Sequence, residues 1–558
     1  MVGELITQLR LVNKSGKLGM NEKYKSENFR EFLERLRAKK ELIDIKQPVD
    51  IRHIATLVDQ AETALLFHNV NGYEIPVISG ILRSRNRAIM SMGCENYSQI
   101  EHRLAHGIEN PISPVHIKSA SNKQVIQTND EVDLYKLPIP MSSIYDGGPM
   151  ITAGVVIAKD QEFGFNSGMY RFMVKEKNLT GIDIVTPNNM RLFAQRAYES
   201  GQSCPISISI GTHPFEIMGS GFRSPLGTDE MSIAGGIRGA AVELTSCETI
   251  DMPCIADAEI VLEAEILPTG WTHPEGRFGE FTRLMGGLHW NPIVKINAVT
   301  MRKDSMYYAL HMPWENTWLA APTRYTAIRK SVKNAGVELK DINVTLGGCG
   351  FWHAIISIKK QAGEGKNALL AALIAQDIKH VVVVDEDIDV HNPADVEWAI
   401  ATRVQGDRDI IVIPRARAKP LDPSLPITPP GVVPTGAKVG VDATIGEGIP
   451  SERYERIAYA YADKVKIEDY LDGKSDPILA EDEDKVLTEK LAKKVFDLIK
   501  KEPKYYQEIA EVFGEYEFKV VARALGQLHT EEKLWQDDRG RACLKDSSHA
   551  AKPPKSTN

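Results

Sequence analysis

The stretch Ala258-Glu-Ile-Val-Leu-Glu-Ala-Glu-Ile266 decides how the centre of this chain is read. Side chains alternate across an extended backbone. Ala258, Ile260, Leu262, Ala264 and Ile266 therefore share one face, and Glu259, Glu263 and Glu265 lie on the other. The pattern predicts a strand with one core face and one solvated face. Three further β-type runs, Ile151–Ala158, Ser207–Ile210 and Ile293–Met301, lie in the same block, residues 131–325. Gly-rich connections, Asp146-Gly-Gly148 and Gly235-Gly-Ile-Arg-Gly239, separate them. The block reads as a β-rich domain of barrel type.

On the N-terminal side, residues 1–25 are polar and Lys-rich and read as a loose extension. Phe29, Phe32, Leu33 and Leu36 recur at helical spacing, which predicts a helix over Phe29–Lys39. Leu42–Ile45 follows as a short strand that Pro48 ends. Residues 26–130 read as an N-terminal α/β segment.

On the C-terminal side, residues 326–475 read as βαβαβ, with strands at Phe351–Lys359, His380–Val384 and Asp409–Ile413. One helix is expected at Lys366–Gln376. Asn392 as N-cap and Pro393 at the first helical position open another through Thr402. Strands and helices in alternation predict a parallel sheet with right-handed crossovers. Pro420–Pro434 is an irregular arm.

Residues 477–545 read as a separate winged-helix-like extension. It has helices at Leu487–Ile499, Tyr505–Phe513 and Lys519–His529, and a hairpin around Asp537-Asp-Arg-Gly540. The acidic run Glu481-Asp-Glu-Asp484 and the lack of a paired Arg/Asn reading set on the third helix weigh against DNA reading. An oligomerisation or lid role fits better. Residues 546–558 read as a disordered tail.

Of 558 residues, 43% are hydrophobic, which excludes a disordered chain. Lys and Arg number 67 against 75 Asp and Glu, a formal charge of −8, which argues against a global polyphosphate binder. Six scattered cysteines with no Cys-x-x-Cys pair fit a reducing compartment. The N-terminus lacks a signal-peptide apolar core, and the apolar runs fall short of the roughly 20 residues of a membrane span. A cytoplasmic protein without membrane contact is expected.

Three segments could carry chemistry. In Pro274-Glu-Gly-Arg-Phe-Gly-Glu280 two carboxylates flank a Gly-set turn. Close carboxylates do not both ionise cheaply, so one is a candidate proton donor; a charged surface turn is the plain alternative. In Asn166-Ser-Gly-Met-Tyr-Arg171 the Arg171 fork matches a substrate carboxylate, or serves structure alone. Gly227-Thr-Asp-Glu230 opens a helix over Met231–Gly239. Glu230 there either complements the helix dipole or holds a hard cation beside a phosphate. Ala362-Gly-Glu-Gly-Lys366 lacks phosphate-loop spacing and reads as a turn. Asp385-Glu-Asp-Ile-Asp389 lacks a calcium-loop pattern and reads as a structural hydrogen-bond cluster.

Taken in order, these motifs resemble the UbiD family of decarboxylases. The resemblance rests on Asp146-Gly-Gly148, Ile151-Thr-Ala-Gly-Val155, Asn166 to Arg171, Asp229-Glu230, Ala234-Gly-Gly236 and Cys247-Glu-Thr-Ile-Asp251. It continues through Ala258–Glu263, Glu275–Glu280, Val384–Val390, Ala401-Thr-Arg403 and Lys438–Thr444, and spans about residues 28–470. It implies an α/β (α+β) fold: an N-terminal α/β segment, a split β-barrel domain binding prenylated FMN, a linker helix and a C-terminal α/β oligomerisation domain. The winged-helix-like extension is additional to that plan.

By the same resemblance Arg171, Glu275 and Glu280 form the family's catalytic network. Arg171 orients the substrate carboxylate, Glu280 returns the proton after carbon dioxide leaves, and Glu275 couples to Arg171 and tunes Glu280. Prenylated FMN supplies an azomethine ylide that acts as the electron sink, leaving the protein to position the acid and move one proton. Asn166, Gly168, Met169, Tyr170, Arg171, Asn188, Ser220, Phe222 and Glu230 are the implied cofactor residues. The cofactor phosphate is held through a divalent metal, manganese or magnesium, on Asn166, Glu230 and a third position. The family has His there and this chain has Asn189, a harder and weaker ligand. A potassium ion near Ser220, Phe222 and Glu230 belongs to the same picture, and Arg403 matches a family Arg near that site.

The expected function is reversible, non-oxidative decarboxylation of an aromatic, heteroaromatic or α,β-unsaturated acid. Trp314 and Trp318, expected at the pocket mouth, and the added C-terminal unit suggest a bulky substrate such as an aromatic acyl-CoA thioester. A flavin prenyltransferase supplies the cofactor, the chain forms a homodimer or homohexamer, and nucleic acid is not an expected partner. The alternatives are a carboxylase subunit of a larger complex and a non-catalytic ligand-sensing or DNA-binding regulator.

Overall fold

The computed structural model describes residues 24–222, 224–375, 377–429, 432–476 and 485–552. The expected N-terminal extension up to residue 23, Gln376, the acidic run Glu481–Asp484 and the tail from residue 553 lie outside the described residues. The chain divides into two compact units, Met1–Ile449 and Pro450–Asn558.

In the first unit, α1 (Phe29–Ala38) buries Phe29, Phe32, Leu33 and Leu36, the stripe that its spacing predicts. Asn28 and Glu31 close its N-terminus as a capping box. Strands β1 (Leu42–Ile45), β2 (Ala64–Phe67) and β3 (Val77–Ser79) form a four-stranded sheet whose last member is Tyr307–Ala309.

The centre is a closed antiparallel barrel. Its strands are β4 (Met150–Asp160), β5 (Gly164–Glu176), β6 (Leu179–Gly181), β7 (Cys204–Ile210) and β8 (Ile260–Ile266), followed, after the hairpin β9 (His273–Glu275) and β10 (His289–Asn291), by β11 (Ile293–Met301). The order around the barrel is β8-β7-β4-β5-β6-β11, and β11 pairs back with β8. Closure removes exposed edges and gives both sides of each strand a neighbour.

Closure also overturns the expected solvated face of β8. Glu259 and Glu263 are buried, and Glu265 is half-buried. Glu263 accepts from the N–H groups of Glu248 and Thr249 at 2.8 and 2.7 Å and from Lys123 Nζ at 3.1 Å. Glu259 accepts from Arg30 Nε and Nη2 at 2.7 and 2.8 Å and from Met306 N–H at 3.0 Å. Period two separates two faces of a strand, but which of them meets water depends on what the rest of the chain lays over it.

Helices α2 (Tyr97–Glu109), α3 (Asn189–Glu199) and α4 (Glu230–Arg238) also belong to this unit. Gly235 and Gly236, in the Gly-rich connection between strands, lie inside α4, where a helix over Met231–Gly239 is expected. A Cβ on Gly236 would sit 2.5 Å from Gly107 O in α2, so these glycines let two helix backbones touch.

Helix α5 (Trp314–Asn334) leads to a five-stranded sheet of β12 (Glu338–Val344), β13 (His353–Lys359), β14 (His380–Asp385), β15 (Ile410–Arg417) and β16 (Thr435–Ala443), in the order β12-β13-β14-β16-β15. Helices α6 (Glu364–Leu373) and α7 (Pro393–Arg403) belong to the same part of the chain, and Asn392 caps α7 as expected. The parallel core is β13, β14 and β16. The expected third parallel strand is thus displaced. The run beginning at Ile410 is an antiparallel edge strand, and β16, beyond the Pro-rich arm, takes its place beside β14. The alternation of half-buried and exposed residues along β15 fits an edge.

In the second unit α8 (Lys485–Lys501), α9 (Tyr506–Val512) and α10 (Phe518–Thr530) share a core of Leu491, Val495, Ile499, Ile509, Val521, Leu525 and Leu528. Strands β17 (Leu534–Gln536) and β18 (Ala542–Leu544) form the hairpin. Residues 546–552, read as the start of a tail, turn back on it: Trp535 Nε1 donates to Ala551 O at 2.9 Å. No described helix is long and apolar enough to cross a membrane.

Candidate active site

β5 carries Asn166 to Arg171 along one wall of a cavity of about 620 Å3. Asn188 and Asn189 reach it from the start of α3, Ser220 and Phe222 from the end of the short helix Pro214–Ser220 and beyond, and Glu230 from the first turn of α4. Glu280 and Phe278 reach it from the turn after β9. Every cofactor and metal residue named above therefore lines one cavity, together with Arg171 and Glu280. Glu275 lies behind that wall, buried under β6 (a Cβ on Gly181 would stand 1.9 Å from its Oε2).

The loop that the sequence singled out as Asp146-Gly-Gly148 fixes the Glu275–Glu280 turn. Gly147 N–H donates to Arg277 O at 2.9 Å, and Gly279 N–H donates to Asp146 Oδ1 at 3.1 Å. A Cβ on Gly147 would lie 1.8 Å from Gly276 O, so only glycine permits this approach.

At one end of the cavity a single guanidinium pairs with two carboxyl groups, and a third, Glu275, is buried within range of its charge. Arg171 Nη1 donates to Glu280 Oε1 at 2.6 Å, and Nη2 pairs with Asp183 Oδ2. The Phe278 ring packs 5.0 Å from the guanidinium carbon. Glu275 makes no hydrogen bond of ordinary geometry at either carboxyl oxygen. Burial pushes Glu275 up to about 8, with Asp183 adding to the rise and Arg171 and Lys175 opposing it. Burial also raises Glu280, against the pull of Arg171 and with the push of Asp183. Asp183 is subject to the same burial, yet Arg171 and His289, whose Nδ1 is 3.4 Å away, hold it well below the usual carboxylate range. The group thus combines an ionised carboxylate, a guanidinium and two carboxyls biased towards the protonated form, which is what proton delivery near neutral pH requires.

At the other end, Glu230 accepts from Asn166 Nδ2 at 3.0 Å and from Ser167 N–H at 2.7 Å, and burial pushes it up to about 7. Asn166 Oδ1 and Ser220 Oγ are buried without a partner. Unpaired buried oxygens beside a carboxylate are the donor set of a hard cation. Among the described residues no group of three or more His, Cys, Asp or Glu side chains gathers to bind a metal. Any cation here would rest on amide, hydroxyl and carboxylate oxygens. Asn189 Nδ2 donates to Ser224 O at 3.3 Å.

Three expectations fail. Arg403 does not reach the cavity; it is buried in the C-terminal sheet and pairs with Asp385 and Asp387 at 2.9 and 2.6 Å. That pairing gives the Asp385–Asp389 cluster its structural role. Trp314 Nε1 donates to Asp59 Oδ1 at 3.1 Å and Trp318 packs edge-on against Tyr97, so neither lines the cavity. Asn316, Leu319, Ala320 and Arg324 of the same helix do. The sequence reading missed Asp183, whose signal was an acid set between two isoleucines in Gly181-Ile-Asp-Ile184, and the cations Arg324, Arg417 and Lys419 at the cavity wall.

Three family models match consecutive parts of the chain. They are the N-terminal, Rift-related and C-terminal domains of 3-octaprenyl-4-hydroxybenzoate carboxy-lyase, UbiD, at residues 33–105, 115–313 and 317–443. The anhydromevalonate phosphate decarboxylase of Methanothermobacter thermautotrophicus is 35% identical over 433 residues, 77% of this chain and 99% of that protein. The UbiD-class enzyme HmfF of Pelotomaculum thermopropionicum in complex with FMN superposes with a TM-score of 0.75 at 36% identity, covering 80% of this chain and all of that one. An evolved dimeric form of HmfF in complex with prenylated FMN gives a TM-score of 0.72 at 34% identity, over 80% of this chain and 100% of that one.

Proposed function

Since this chain belongs to the UbiD family and is a carboxy-lyase of the prenylated-FMN class, we propose that Arg171 binds its substrate carboxylate and Glu280 returns the proton once carbon dioxide has left. The observation that carries this reading is the Arg171 guanidinium at the cavity wall, bonded to Glu280 and paired with Asp183. A planar guanidinium offers a fork to an incoming carboxylate. Glu280, raised by burial, is available as an acid 2.6 Å from that fork. The Phe278 ring, 5.0 Å from the guanidinium carbon, covers one side of that fork.

Prenylated FMN, when bound, supplies the electron sink for the electron pair left by carbon dioxide. Asn166, Gly168, Met169, Tyr170, Asn188, Ser220, Phe222 and Glu230 would hold it. A manganese or magnesium ion would rest on Asn166 Oδ1 and Glu230, with Asn189 as a third oxygen ligand and potassium beside Ser220. The unpartnered oxygens of Asn166 and Ser220 support that assignment.

The substrate is an unsaturated carboxylic acid, aromatic, heteroaromatic or α,β-unsaturated. Arg324, Arg417 and Lys419 stand on the same cavity wall, with Arg324 and Lys419 paired to Asp377, and a second anionic group on the substrate would share these cations with that carboxylate. A relative named for a phosphorylated acid agrees with this.

The test is co-expression with a flavin prenyltransferase, followed by the absorbance spectrum and mass of the bound flavin. A panel of cinnamic, furoic, benzoic and phosphorylated alkenoic acids is then assayed in deuterium oxide for carbon dioxide release and deuterium incorporation. Protein that takes up no flavin, or loaded protein that turns over none of the panel, would overturn the reading.

A further inference from the structure

We propose that Asp183 is a positioning residue that permanently neutralises Arg171, so that Glu280 is left free to carry the reacting proton. The proposal deepens the reading of this site as a decarboxylase and rests on it.

One guanidinium cannot balance three carboxylates, and in a buried group the surplus is relieved by protonation. Which carboxyl stays ionised is decided by how many donors each one meets. Asp183 meets the most. Its Oδ2 pairs with Arg171 Nη2 and lies 3.4 Å from His289 Nδ1. Its Oδ1 accepts from Val185 N–H and Asn291 Nδ2, both at 3.4 Å. Glu280 meets one donor, Arg171 Nη1, and no hydrogen bond of ordinary geometry reaches Glu275.

The scaffold holds Asp183 in place from both sides. Asn291 Oδ1 accepts from Ile184 N–H at 3.2 Å, which ties the segment after β6 to β10. On β10, His289 pairs in register with Glu275 of β9. Asp183 therefore sits on a rigid junction, whereas Glu280 stands on a turn that ends at the cavity. Arg171 held by a fixed counter-charge keeps one orientation whether Glu280 is protonated or not. This lets Glu280 cycle its proton without losing the fork that holds the substrate. Glu280 is faced by Arg171 from β5, Asp183 from the segment after β6 and His289 from β10. Glu275 faces Asp183, Arg171 and Lys175.

The test is Asp183→Asn in full-length enzyme. It preserves shape and removes the charge. Arg171 is then balanced by Glu280, and the proton on Glu280 is lost at lower pH. In flavin-loaded enzyme the alkaline limb of kcat moves down by about one unit or more, and kcat near neutrality falls by about tenfold. Asp183→Glu restores the limb. A second readout does not depend on turnover. The infrared carboxylic-acid band that disappears in Glu280→Gln is titrated in wild type and in Asp183→Asn, without flavin. The band of the variant is expected to vanish at lower pH. A uniform loss of kcat with an unmoved limb, or an infrared titration identical in the two proteins, overturns the proposal. Failure of the wild type to turn over any acid overturns the functional reading instead, and the infrared titration still decides the role of Asp183.

Discussion

The barrel domain holds two sets of buried carboxylates that differ in one respect. Glu263 and Glu259, on and beside β8, are each met by several donors, backbone N–H groups together with Lys123 or Arg30. Glu275 and Glu280, nine and fourteen residues past the end of that strand by number, are met by none and by one. A buried carboxylate surrounded by donors ties distant segments of a fold together. One denied donors is pushed towards its protonated form and becomes an acid. Burial alone therefore does not set the two pairs apart; the donors that reach each carboxylate do.

The largest effect is expected at the poorly served set. Glu280→Gln should lower kcat by about 10³-fold, within the range for removing a general acid, and leave melting temperature and flavin uptake nearly unchanged. Stopped-flow turnover and calorimetry together check this. A variant that keeps near-normal turnover would break the comparison.

Next comes the well-served set. Glu263→Ala leaves Lys123 and two backbone N–H groups without their acceptor and should cost about 3 kcal/mol of stability, the scale of breaking a buried pair. Turnover per folded molecule should hold, as measured by denaturant titration alongside active-site counting.

A smaller effect is expected at the cation end. Asn166→Ala, or a chelator applied to wild type, should weaken FMN retention by about tenfold, about 1.4 kcal/mol, read by equilibrium dialysis. Identical retention would remove the oxygen-ligand assignment.

The smallest effect is a pH dependence. Glu275 moves from an ordinary value near 4.5 to about 8 on folding, so the native state keeps a proton that the unfolded chain has lost between those values. More protons bound in the native state means that stability falls as pH rises through that window. Glu275→Gln removes the term. Its melting temperature, compared with wild type, should be relatively higher at pH 8 than at pH 6 in parallel calorimetric scans.

Local patterns carried much of this in the sequence. The stripe of Phe29, Phe32, Leu33 and Leu36 is the buried face of α1, and the Asn392-Pro393 start is the start of α7, because periodicity and capping are properties of neighbouring residues. Ordered motifs placed Asn166, Arg171, Glu230 and Glu280 on one cavity although more than a hundred residues separate the first from the last. The failures are non-local. The solvated face of β8, the third parallel strand and the position of Trp314 each depended on which distant segment arrives: the 248–252 turn, β16 beyond the Pro-rich arm, and Asp59.

The sequence by itself determined the family, the α/β and barrel classes of the segments, and the residue types needed for carboxylate binding and proton return. Only the tertiary structure decided which acids are acids. Asp183 comes to Arg171 from the segment after β6, Glu275 is sealed behind Gly181, and Glu263 is surrounded by donors from a distant turn. A carboxyl's proton affinity is set by the charges and dipoles within a few ångströms of it, and those come from parts of the chain that its own sequence neighbourhood does not contain.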